Sequence, residues 1–264
     1  MKKTYIAIMM TGLMGAGLMA KTANAEEAAS GLPFGITTSG DIGIASQYVW
    51  RGVTQTNGKT AVQGDLGLAL GGFSLGGWFS NAYASPVAKF APRDVVEFDW
   101  TASYGGDIGD TGIGYSVGGI YYTYLYDSGS NFPEINAGLS YGPVSLTGYI
   151  VTTSSSNKAY LKGDSWVDLG VSHSIAGYDL SGTISYARWK KDAANRPIGA
   201  INTFKSGVSL VTLGVSKDFT IEGAALTSSL TATVPVSKKQ SDGNRYIYGV
   251  AAKNEVVAAL NLSY

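Results

Sequence analysis

The sequence predicts an all-β protein, a transmembrane antiparallel up-and-down β-barrel of about twelve strands. Three observations predict it. Apolar and polar side chains alternate in one segment after another from Ile36 to the last residue, and no helical-period stretch is long enough for a domain. The links between segments alternate long and short, as the loops and turns of outer-membrane barrels do. Composition agrees, since 36 glycines and 17 tyrosines against 7 prolines suit strands and turns better than helices.

The chain opens Met1-Lys2-Lys3-Thr4, runs apolar from Tyr5 to Ala20, and reaches Ala23-Asn24-Ala25 before Glu26. A basic start, an apolar run and an A-x-A end read as a secretory signal peptide over residues 1–25, cut after Ala25. The segment is short and ends in small residues, unlike a transmembrane helix with a basic stop. Residues 26–35 then form a periplasmic lead-in, and residues 36–264 the barrel. Without Lys2, Lys3 and Lys21 the remaining 16 basic and 19 acidic side chains leave a charge of about −3. That mild acidity argues against a nucleic-acid partner. There is no cysteine, so a lipid anchor on cysteine and a disulfide framework are excluded.

The first strand is read from Ile42, Ile44, Tyr48 and Trp50, which alternate with Asp41, Gln47 and Arg51. A polar turn around Thr54 to Gly58 leads to Val62, Leu66, Leu68 and Leu70, and Gly71-Gly72 to Phe73, Leu75 and Phe79, opposite Ser74, Gly76, Trp78 and Ser80. The fourth strand alternates most cleanly, with Val96, Phe98, Trp100, Ala102 and Tyr104 against Glu97, Asp99, Thr101 and Ser103. Later strands carry Ile113 to Tyr121, Pro133 to Tyr141, Val144 to Ile150, Val167 to Val171 and Leu180 to Tyr186 on their apolar faces. Between Gly207 and Lys217 the apolar side chains straddle both faces; Val211, Leu213 and Val215 are read as outward. Leu226 to Val236 and a long last strand from Tyr246 to Tyr264 complete the set.

Three stretches resemble a known family: Ser46-Gln47-Tyr48-Val49-Trp50-Arg51-Gly52-Val53-Thr54-Gln55-Thr56, Ala61-Val62-Gln63-Gly64, and Gly76-Gly77-Trp78-Phe79-Ser80-Asn81. They are similar to the TorF-like porin family of Gram-negative outer membranes, also described as a conserved family of unknown function. The resemblance implies an outer-membrane barrel with a pore. It supplies no catalytic residues.

Single-face alternation alone does not separate inside from outside, because a soluble barrel would turn its apolar side chains inward. The signal peptide, the C-terminal pattern Val256-x-Ala258-x-Leu260-x-Leu262-x-Tyr264 and the outward aromatics place lipid outside. Tyr104, Tyr141 and Tyr264 would form a girdle at the short-turn rim, and Trp50, Phe79 and Tyr246 one at the other. The expected partners are therefore the lipid bilayer, the barrel-assembly machinery that reads a C-terminal strand, and small hydrophilic solutes or ions, in the outer membrane.

Catalytic chemistry finds little support. His173 is the only histidine, which excludes multi-histidine metal sites, and Ser172-His173-Ser174 adjoins a turn instead of building a hydrolase site. Asn57-Gly58-Lys59-Thr60 lacks the earlier glycine of a phosphate-binding loop, since Val53 stands there. Glu97 and Asp99 share one strand face as a glycosidase pair could, but Thr101 and Ser103 beside them mark a solvated inner wall. No enzyme activity, cofactor or metal is expected.

The expected pore lining is Asp41, Asp65, Glu97, Asp99, Asp168, Asp179, Lys253 and Glu255, with Glu134, Arg51 and Lys59 on the same inner face. Acids outnumber bases there, so an open lumen would weakly prefer cations. If the charges instead pair across strands, they close it. The expected function is passive diffusion of small hydrophilic solutes; a closed barrel for structure or surface adhesion is the alternative, and an outer-membrane hydrolase a more remote one.

Overall fold

The structure is a computed structural model that describes residues 35–83, 94–190 and 206–263. The signal peptide, nearly all of the lead-in, Tyr264 and parts of two long links lie outside the described residues. In chain order the strands are β1 (Thr37–Ala45), β2 (Val49–Trp50), β3 (Val53–Thr54), β4 (Ala61–Leu70), β5 (Phe73–Tyr83), β6 (Asp94–Asp107), β7 (Ile113–Leu125) and β8 (Phe132–Tyr141). They continue with β9 (Val144–Val151), β10 (Ser165–Ile175), β11 (Tyr178–Arg188), β12 (Gly207–Ile221), β13 (Ala224–Pro235), β14 (Arg245–Ile247), β15 (Val250–Ala252) and β16 (Glu255–Ser263).

Twelve of these close into one antiparallel barrel, each wall strand pairing with the next and β1 with β16. The fold is thus the up-and-down barrel of the transmembrane class, as the alternation predicts. β2 with β3 and β14 with β15 are separate two-stranded hairpins outside the wall. Closure runs from Asp41 opposite Ser263 to Ala45 opposite Ala259, so neither end strand is left as an open edge.

The outer face is apolar around the circumference. Leu146, Leu169, Ile184 and Val211 occupy one register row across β9 to β12, and the first three of them are exposed. Short links at one end are geometrically specified. Ala176-Gly177 and Glu222-Gly223 both have positive φ at both positions, the conformation that lets a two-residue hairpin follow the twist of its strands. The ambiguous Gly207 to Lys217 stretch has a local cause. Its pairing with β11 shifts at Ser185/Tyr186, where a bulge buries Ser209 and Leu210 while Val208 stays exposed.

Two expectations are corrected. The first wall strand ends at Ala45, and Tyr48 to Trp50 do not continue it; both rings are buried inside the barrel, so Trp50 is no girdle residue. The last wall strand is Glu255–Ser263 alone. The chain before it reverses at Tyr248-Gly249, again with positive φ at both, and sends Ile247 and Tyr248 inward. Tyr246 consequently sits on a hairpin at the rim, where its hydroxyl and the Asn244 amide hold the Asp242 carboxyl below its ordinary range. The core lies within the barrel toward the long-loop end, built by these inward hairpins.

If the outer face meets lipid, Leu169→Arg puts a cation into hydrocarbon at mid-strand. It should cost about 2 to 4 kcal/mol of folding free energy, read from denaturant-dependent folding into vesicles. An unchanged midpoint would turn the faces round.

Candidate functional site

The interior is organised by a two-residue turn. Val49 pairs with Thr54 and Trp50 with Val53, which leaves Arg51-Gly52 as the tip, with φ of 45° and 78°. Gly52 is needed twice over there. The backbone conformation disfavours any side chain, and a Cβ would come within 2.7 Å of Leu210 Cδ1. The hairpin is tied at its base, where Gln55 N–H donates to the Tyr48 carbonyl at 2.7 Å and Tyr48 N–H to Thr56 Oγ1 at 3.0 Å. Its second limb also reaches the wall, as Tyr83 N–H donates to the Gln55 carbonyl at 2.6 Å.

The tip delivers a guanidinium into the lumen. Arg51 Nη1 and Nη2 donate to the two Glu134 carboxylate oxygens, each at 2.8 Å, in a bidentate pair. Tyr122 adds a hydroxyl donor to Glu134 at 2.9 Å, and Arg51 Nη1 also donates to the Tyr248 hydroxyl at the tip of the second hairpin. The guanidinium carbon lies 4.6 Å from the Trp50 ring centroid, 5.0 Å from Tyr149 and 5.3 Å from Trp166. Around it the rings stack: Tyr122 on Phe132 at 4.3 Å, Phe132 on Tyr160 at 3.8 Å and Trp50 on Tyr248 at 4.8 Å. Two hairpin tips and the segment around Tyr160 therefore fill the lumen toward the long-loop end.

The expected lining residues divide by level. Glu97 and Asp99 are fully buried beside this plug, and Glu97 accepts from the Tyr124 hydroxyl at 3.0 Å. Asp168 accepts from Trp166 Nε1 at 2.7 Å and Ser185 Oγ at 2.6 Å. Glu255 accepts from Gln47 Nε2 at 2.8 Å. Asp41 and Asp65 face each other in register below the plug and are half-buried, and Asp179, near the short-turn end, accepts from Ser174 Oγ. Lys253 is not with them, since it lies exposed in the link between β15 and β16. Lys59 is exposed as well, its Nζ 5.1 Å from the Tyr83 ring centroid. His173 falls on the outward row between Val171 and Ile175 and is exposed.

Pattern reading missed the aromatic plug. The available signal was the pair of X-Gly steps, Arg51-Gly52 and Tyr248-Gly249, each between β-branched or aromatic residues, as two-residue hairpins require.

The signature around Arg51 lies inside the stretch matched by a family model. That model, described as a bacterial protein of unknown function (Gcw_chp), matches residues 25–224. The chain belongs to this family. No curated protein matches it. Among solved structures the chain is similar to outer membrane phospholipase A from Escherichia coli, at 14% identity over 90% of this chain and 94% of that one, with a TM-score of 0.44. It is also similar to a FadL homologue from Pseudomonas aeruginosa, at 11% identity over 87% and 90% of the two chains, with a TM-score of 0.41.

Removing one partner of the buried ion pair strands the other. Arg51→Met should destabilise the barrel by about 3 to 5 kcal/mol, and Arg51→Met with Glu134→Leu should recover much of the loss. Urea midpoints of the folded barrel in micelles measure both, and a single-variant cost below about 1 kcal/mol would mean that the pair does not hold the plug.

Proposed function

We propose that the protein is a porin-like barrel of the outer membrane, of the kind the TorF-like resemblance implies, passing small hydrophilic solutes with a preference for cations. The observation that carries this reading is the inner wall. It presents Asp41, Asp65, Glu97, Asp99, Asp168, Asp179 and Glu255, while the buried Arg51 is already neutralised by Glu134. Carboxylates lining a lumen draw cations in and repel anions. The outer wall supports the membrane setting, because Ile42, Leu75, Trp100, Leu139 and Leu213 are all more than half exposed and only hydrocarbon would cover such a belt favourably. A twelve-strand barrel also has more interior than side chains of the wall alone fill.

The interlocked tips favour a second reading. A plug held by a bidentate ion pair and stacked rings closes the outer half of the lumen, which suits a barrel with a structural or surface-attachment role. Planar-bilayer recordings of the purified protein separate the two. The porin reading expects stepwise conductance with a reversal potential displaced toward the cation, and larger steps when residues 47–56 are replaced by a short Gly-Ser turn. Silence from both proteins would leave the closed barrel.

Orientation is tested by labelling. Short turns belong on the periplasmic side and longer loops outside. Asp242→Cys at the long-loop rim should react with an impermeant thiol reagent on intact cells, whereas Glu222→Cys in a short turn should react only after permeabilisation. The opposite pattern would invert the barrel.

A further inference from the structure

The lumen shows how it holds a cation. Arg51 is bound by the Glu134 carboxylate, the Tyr248 hydroxyl and aromatic faces, all supplied by the chain. A second set of the same groups stands beside it. Glu97 and Asp99 project from one face of β6, and Asp99 is opposed in register by Trp78 on one side and Tyr122 on the other. The Tyr48 ring meets Trp78 edge-on with centroids 5.2 Å apart. Asp99 is 1% exposed and Trp78 5%. Neither Asp99 oxygen has a hydrogen-bond partner, and neither does the Trp78 indole N–H.

Buried carboxylate oxygens are normally satisfied, and a charged one more than any other. No basic side chain of the described residues forms an ion pair with either acid, since Arg51 is committed to Glu134. We infer that the Asp99 carboxylate, with Glu97 on the same strand face, Trp78 beside it on the neighbouring strand and the Tyr48 ring against Trp78, binds a small organic cation that carries N–H donors, a primary ammonium or a guanidinium. Two free oxygens on one carboxylate match two parallel N–H donors, and the rings supply the faces on which such a cation rests. A quaternary ammonium has the charge without the donors and cannot satisfy the oxygens. The same register row continues through Asp65 to Asp41, so carboxylates line the approach from the half-buried lower lumen.

The inference rests on the reading that the lumen admits hydrophilic solutes, and names which solute it retains. Binding at equilibrium tests it without requiring conduction. The full folded barrel in detergent micelles is titrated with methylguanidinium and n-propylammonium chloride at constant ionic strength, with tetramethylammonium and potassium chloride as comparisons, by calorimetry and by tryptophan fluorescence. The two N–H cations should bind saturably and at least about tenfold more tightly than the two comparison ions. Asp99→Asn should weaken them about tenfold or more, Trp78→Phe should weaken them severalfold, and Glu222→Gln in an exposed turn should change nothing. Folding of each variant is checked by heat-modifiable mobility, and should Asp99→Asn not assemble, Trp78→Phe decides.

Equal response to all four cations, or full affinity retained in the assembled variants, would overturn the site and leave those carboxyls to water or to protonation. Saturable binding in a barrel that never conducts would uphold the site while removing the pore reading. Conductance without saturable binding would do the reverse.

Discussion

A backbone placed in hydrocarbon has no water to satisfy its N–H and C=O groups, so a strand wall survives there only when it closes on itself. In this chain closure depends on the pairing of β1 with β16, which joins the first described strand to the last over Asp41 to Ala45. Everything else is arranged around that ring. Once the wall is complete, period-two geometry sends every second side chain inward, and the interior becomes a space whose contents the sequence must specify separately.

The wall was legible because lipid enforces a simple rule on one face. Phe98 and Trp100, Leu146 and Ile150, or Leu169 and Val171 sit on outward rows, and no partner inside the protein constrains which apolar residue is used. The alternation therefore survives in strand after strand. It fails at β12, where a bulge between the Tyr186 and Ser185 partners shifts the phase and brings Leu210 inside. The interior was legible only in part. Tyr48 and Trp50 continue the period of Ile42 and Ile44, and a residue that is inward on a hairpin looks the same in sequence as one outward on a wall.

What distinguishes them is energetic. A guanidinium at Arg51 could not face hydrocarbon in the middle of a strand, and in the lumen it needs a counter-charge, hydrogen-bond acceptors and a reason to stay. Glu134 meets the first two needs, and the interlocked tip bearing Tyr248 meets the third. The partner carboxylate lies 83 residues away and the partner ring 197. No local pattern encodes such contacts. They become visible only when the barrel brings β8 and the second hairpin to the same level.

The plug also accounts for how the interior is partitioned. Above, stacked rings and the Arg51–Glu134 pair pack the interior; below, Asp41, Asp65 and Asp179 stand half-buried among serines, threonines and glycines. Glu97 and Asp99 occupy the boundary, buried under the plug yet on register rows that continue into the polar half. On the proposed reading, a cation drawn up the lower lumen would meet progressively more carboxylate and progressively less water, so its attraction to the wall would strengthen as its own hydration is stripped. Discrimination between solutes is sharpest where hydration must be replaced by protein groups, because a solute that cannot match those groups leaves them unpaired. On that reading the place is the Asp99 level, where the oxygens are without partners and the next layer upward is packed around Arg51.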